Sequence, residues 1–200
     1  MLATDWIVAW IALFLLAGRF AWVMLRGGEA QQSMELRRTW IKRVLAAPGA
    51  EILAIQTVRN SMMASSLMAT TAVLALMGVI SIGHGQMTAL APAQWMQGGT
   101  GVKLLLPLAL LTASIILFSK AVRLYHRTGY SLGLPHGGSD AADTAEAAAI
   151  NELTRAARLY RNGWRAFYAA IATAAWLAGG WMMLTATVVI VAIDIAARIE

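Results

Sequence analysis

Four stretches of the chain hold almost unbroken runs of apolar side chains, at about residues 6–25, 62–82, 102–118 and 166–193. A helix needs roughly 20 apolar residues to cross the hydrocarbon core of a bilayer. The pattern therefore predicts four transmembrane helices. The fourth is long for one crossing, and Gly179-Gly180 gives it a place to bend. The first follows Asp5 and has no basic leader or small-residue cleavage site, so it is expected to be a retained span rather than a signal peptide.

Between these stretches the pattern changes to a helical period. Leu36, Trp40, Ile41, Val44 and Leu45 share one helical face, with Arg38 and Lys42 beside it. That arrangement predicts an amphipathic helix on the inner membrane surface, ended by Pro48-Gly49. Further on, Asp143 and Glu146 have the spacing of a capping box. Ile150, Leu153, Ala157, Tyr160 and Trp164 then recur at three and four residues, which predicts a second amphipathic helix. Residues 133–138 read as a linker. The expected fold is an all-α membrane protein formed by residues 1–200 as a single four-span domain, with amphipathic cytoplasmic helices in two basic loops.

Charge sets the expected direction of the spans. Basic residues concentrate in two connections: Arg26, Arg37, Arg38, Lys42, Arg43 and Arg59, and then Lys120, Arg123, Arg127, Arg155, Arg158, Arg161 and Arg165. The connection over residues 83–101 has none. The positive-inside rule makes both basic connections cytoplasmic, with both termini and the 83–101 connection outside. Trp6, Trp22, Trp95 and Trp164 fall near the expected interfaces. The expected location is a bacterial cytoplasmic membrane.

Composition then narrows the class. Apolar residues make up 59% of the chain and charged residues 13%, against about a quarter charged in a soluble domain. Soluble, disordered and disulfide-rich classes are excluded. The net charge of +6 is accounted for by topology, so no nucleic-acid partner is expected. The chain has no Cys, which removes thiol chemistry and Cys-based metal sites.

The two halves follow one plan: a span running inward, a basic helical segment, and a span running outward. Arg19 and Arg26 have the same spacing as Lys120 and Arg127. Arg59-Asn60-Ser61 and Arg161-Asn162-Gly163 close the two basic segments. This suggests a parallel internal repeat about an axis along the membrane normal. Any four-span chain with two basic loops would also look self-similar, so both readings stand.

The polar residues near the spans are the candidate chemistry. Ser61, Ser65 and Ala69 recur every fourth residue, with Ser66 and Thr70 beside them, and Ala166, Ala170, Ala174 and Ala178 do the same. Small side chains at this spacing let helices approach closely in lipid. The alternative is that Ser61, Ser65, Ser66 and Thr70 line a narrow polar path. Arg19 is a charge inside a span, which costs several kcal/mol unless it is paired, hydrated or snorkelling. Arg59, Asn60, Lys120, Arg123, Arg161, Asn162 and Arg165 map to the inner interface. They suit either lipid headgroups or an electropositive vestibule for anions. No catalytic or nucleotide-binding motif is present, and His84 is separated from His126 and His136 by the expected topology. No enzyme activity, cofactor or metal is expected.

Several of these segments resemble the membrane family catalogued as domain of unknown function 599. The resemblance is carried by Arg37-Arg38-Thr39-Trp40, by Gln56-Thr57-Val58-Arg59-Asn60-Ser61-Met62-Met63-Ala64-Ser65-Ser66 and by Phe118-Ser119-Lys120-Ala121-Val122-Arg123-Leu124-Tyr125. Arg158-Leu159-Tyr160-Arg161-Asn162-Gly163-Trp164-Arg165-Ala166-Phe167-Tyr168 completes it. The resemblance covers nearly the whole chain and implies a four-span membrane protein without implying an activity. Two expectations follow for function. One is a small channel or carrier, as a homo-oligomer, with a cationic cytoplasmic vestibule. The other is a non-catalytic structural or accessory subunit of a larger membrane assembly. Membrane lipids are expected partners in both.

Overall fold

The structure, a computed structural model, describes residues 2–25, 28–47, 49–89, 99–132 and 140–196. The described residues are helical throughout, with no strand among them. In chain order the helices are α1 (Leu2–Leu25), α2 (Gly28–Ala46), α3 (Glu51–Ala89), α4 (Thr100–Leu132) and α5 (Asp140–Ala174). A 3-10 turn, Ala175–Ala178, then leads to α6 (Gly180–Ala196). The expected linker at 133–138, Arg26, Gln94 and Trp95 lie outside the described residues.

Three helices contain segments long and apolar enough to cross a membrane: Thr4–Trp22, Ile52–Gly85 and Gly101–Leu132. The fourth apolar stretch is divided. Its C-terminal part is α6, a shorter apolar helix of 17 residues. Gly179, at φ 129° and ψ 160°, separates it from the preceding turn. Only glycine adopts that backbone conformation without strain. The break is more than the bend expected at Gly179-Gly180: Arg165 before it and Asp194 near the end of α6 line one cavity, so the stretch folds back instead of crossing once, and α6 runs parallel to α1.

The chain forms two compact units. The first comprises Met1–Leu25, Thr71–Ser114 and Trp164–Glu200, and the second comprises Arg26–Thr70 and Ile115–Gly163.

In the first unit α1 packs along α6. Ala9 and Ala12 are fully buried against Trp176 and Met183. Leu16 is buried with Ala169 and Ala172, beside Phe20, Leu110 and Ile190. The buried surface is rich in alanine, as expected where close backbone approach rather than bulky interdigitation holds helices together. Trp6 meets Trp176 edge-on at 4.8 Å between ring centroids. Pro107 is buried inside α4, where the helix tolerates the missing amide because neighbouring helices enclose it.

In the second unit Ile41 and Val44 of α2 pack on Ala54 and Val58 of α3, on Ala121, Tyr125 and Leu132 of α4, and on Ala149, Leu153 and Ala156 of α5. The expected apolar face of α2 is therefore turned into protein rather than lying on lipid alone. Leu36 departs from it and is exposed. It lies on the rim of a cavity shared with Thr57, Val58 and Ser61 of α3 and Leu153 of α5. On α5, Leu153 and Ala157 are buried and Ile150 and Tyr160 half-buried, as their period predicts. Gly163 packs under the buried Phe118 ring.

Hydroxyl groups in the apolar helices mostly bond their own backbone. Thr57 donates to the Leu53 carbonyl, Ser61 to Thr57, Thr70 to Ser66 and Thr187 to Met183. In an apolar solvent this satisfies a donor that would otherwise cost several kcal/mol.

Candidate functional site

Within the first unit, Arg19 of α1 reaches Asp194 of α6 and forms an ion pair. The Arg19 guanidinium also stands over the Trp22 ring, 5.0 Å from its centroid. Arg165, from the last turns of α5, lines the same small cavity of about 60 Å³, together with Leu16, Phe20, Tyr168 and Ile190. Two of the basic residues singled out in the sequence are thus brought together. The cavity brings two guanidinium groups beside the Asp194 carboxylate, among apolar and aromatic side chains. The Arg19 side chain is only 12% exposed, against 47% for Asp194. The cation is the enclosed partner, and the anion faces outward. Arg19 also borders an apolar groove of about 360 Å³ formed by Phe14, Leu15, Gly18, Val191 and Ile195.

A second charged cluster in this unit was not visible in the sequence pattern. Lys103 Nζ lies 2.7 Å from Asp5 Oδ2. The other carboxylate oxygen of Asp5 accepts the backbone N–H of Gly180, the first residue of α6. Asp5 therefore neutralises one of the free amides at the start of α6, where the helix dipole favours an anion. Lys103 also sits 5.3 Å from the centroid of Trp176. The one available signal was Lys103 itself: a lysine at the uncharged, outer end of a predicted span calls for a partner.

Within the second unit the remaining basic candidates distribute over separate surfaces. Lys120 and Arg123 line a cavity of about 480 Å³ with His126, Arg127 and Arg155. Ser61 borders another, of about 400 Å³, with Arg37, Trp40, Arg43, Thr39 and Thr57. Arg37 is half-buried. Burial and the nearby positive charge of Arg161 hold its pKa below the usual guanidinium range, with Tyr125 opposing in part. A third cavity, of about 550 Å³, carries Glu35, Arg38, Lys42 and Glu146, so its charges balance. Arg59 and Asn60 are exposed on α3, and Arg161 and Asn162 are half-buried on α5.

The small hydroxyl residues divide between faces. Ser65 is fully buried. Ser66 and Thr70 are exposed on the outer side of α3, and Thr70 has spent its hydroxyl on the Ser66 carbonyl. Successive residues turn by about 100° around a helix, which is why Ser66 cannot share the direction of Ser65.

A family model described as "Protein of unknown function, DUF599" matches residues 7–197. The chain belongs to this family. The match takes in both units and every basic cluster described above. No curated protein and no solved structure matches the chain.

Proposed function

We propose that this DUF599 chain is a small channel or carrier that takes anions from the cytoplasmic side of a bacterial inner membrane. It is non-catalytic, has its N-terminus outside, and works as a homo-oligomer; because α6 runs parallel to α1, its end faces the same side as Arg19 rather than the outside expected from four simple crossings. The observation that carries the reading is the convergence of Arg19 and Arg165 on one small cavity walled by apolar and aromatic side chains. A cation enclosed among apolar groups is expensive to keep. Two guanidinium groups at one cavity offer paired N–H donors of the kind that hold an anion. By the positive-inside reading this cavity lies toward the cytoplasmic ends of α1 and α6. Oligomerisation is supported by the exposed Ser66 and Thr70, which leave a strip of α3 open to close helix approach. The internal repeat would place the two halves around one axis.

The test is anion flux through liposomes holding the purified oligomer, with chloride and acetate as probes. Wild-type protein is expected to pass one or both, and Arg19→Gln to assemble normally but change rate or preference. Liposomes with intact oligomer that pass neither probe would remove the simple anion channel.

The same open strip of α3 also favours a second reading, an accessory subunit of a larger assembly. In that case foreign membrane subunits co-purify in fixed stoichiometry and no flux is seen.

A further inference from the structure

The cavity between α4 and α5 in the second unit gathers four cations, against two, Arg37 and Arg43, in the cavity beside Ser61. Lys120, Arg123 and Arg127 lie on successive turns of α4, and Arg155 faces them from α5. No described carboxylate lines it, whereas the cavity of Arg38 and Lys42 is balanced by Glu35 and Glu146. Lys120 and Arg127 are two helical turns apart, about 10.5 Å along the axis. Arg123 and Arg127 stand at an i, i+4 spacing that costs a few tenths of a kcal/mol when both carry like charge. All four cations are exposed at their tips, so water and salt screen them, yet none is drawn off to an acidic partner among the described residues. Leu124 and Leu159 line the same cavity and add apolar contact. Its volume of about 480 Å³ falls within the range of ligand pockets, roughly 300–1,000 Å³.

We propose that Lys120, Arg123, Arg127 and Arg155 form a binding site for an anion carrying two phosphate groups. One phosphate sits at the Lys120–Arg123 end and the other between Arg127 and Arg155. The separation along α4 suits two phosphates joined by a short linker better than one phosphate alone. Guanidinium groups bind each phosphate through paired N–H donors. Two sources supply this chemistry: a phospholipid with a double-phosphate headgroup, whose glycerol and first methylenes would rest on Leu124 and Leu159, or a soluble diphosphate. The site is separate from the Arg19–Arg165 cavity and stands or falls independently of anion flux.

The experiment uses the full chain in detergent, with binding read by thermal shift and native mass spectrometry. The probes are diphosphatidylglycerol, phosphatidylglycerol, phosphatidylcholine and inorganic pyrophosphate. Diphosphatidylglycerol is expected to bind at least about tenfold more tightly than phosphatidylglycerol, equivalent to ~1.4 kcal/mol. Phosphatidylcholine should show no saturable binding. Pyrophosphate that matches and displaces the lipid assigns the site to a soluble diphosphate; pyrophosphate that does neither assigns it to the lipid. Arg123→Gln with Arg155→Gln should abolish the preference, and Arg38→Gln, in the balanced cavity, should keep it. Equal affinity for one- and two-phosphate lipids, with pyrophosphate inert, overturns the proposal. So does an unchanged preference in the Arg123→Gln/Arg155→Gln protein.

Discussion

Asp5 and Lys103 stand 98 positions apart in the chain and meet at 2.7 Å, and the carboxylate that holds the lysine also holds the first amide of α6. One side chain thus closes two accounts at once: the charge of Lys103 and the open start of an interrupted helix. The two duties are unequal in what their loss exposes, and that inequality is measurable.

Asp5→Asn should be the more harmful of the two pair variants. It strands Lys103, whose side chain is only 18% exposed, and weakens the anionic cap on α6. Breaking a fully buried pair costs about 3–5 kcal/mol, and the partial exposure here brings the expected loss to about 2 kcal/mol. Lys103→Met removes the charge that needed a partner and leaves Asp5 on the α6 amide, so its loss should be smaller. Adding Lys103→Met to Asp5→Asn should recover part of the deficit. Thermal unfolding in one detergent ranks the three, and equal losses for the two single variants would reject the capping role.

Glycine substitutions should separate the crowded positions from the open ones. A Cβ on Gly163 would lie 2.8 Å from the buried Phe118 ring. Gly163→Ala is therefore expected to cost about 1–3 kcal/mol. Gly18 has open space around it in α1, and Gly18→Ala should stabilise the isolated chain by about 0.5–1 kcal/mol through helix propensity. A Gly18→Ala protein that unfolds earlier, or loses its oligomer, would place a second helix against that position.

Orientation is tested by cysteine labelling, because the chain has no native Cys. Single Cys residues replace Ser33, Gln94 and Asp140 in turn. Only the one at Gln94 should react with an impermeant thiol reagent added to intact cells. Reaction at Ser33 or Asp140 would reverse the assignment.

The helices were legible because their signals are local. Apolar runs gave the long helices, and the period of Leu153, Ala157 and Tyr160 gave the buried face of α5. Gly179-Gly180 marked the interruption because two adjacent glycines weaken any helix. The charge pairs were not legible. Asp194 meets Arg19 and Lys103 meets Asp5, and neither pairing has a signal in the sequence pattern. Both pairs depend on how α1 lies against α4 and α6, which no spacing along one helix encodes. The serines failed in a different way: composition placed Ser65 and Ser66 together, while rotation about α3 sends one inward and the other outward.

On α1, Ile7, Trp10 and Phe14 form an exposed ridge, with Phe14 80% accessible, while the opposite face buries Val8, Ala9, Ala12 and Leu16. This helix thus turns more apolar surface outward than inward. In a bilayer, acyl chains would cover that surface, as a mould supports a thin casting. Detergents of different tail length should therefore shift the melting temperature of the whole chain, and removal of the amphiphile should precipitate it through this ridge before its helices unwind.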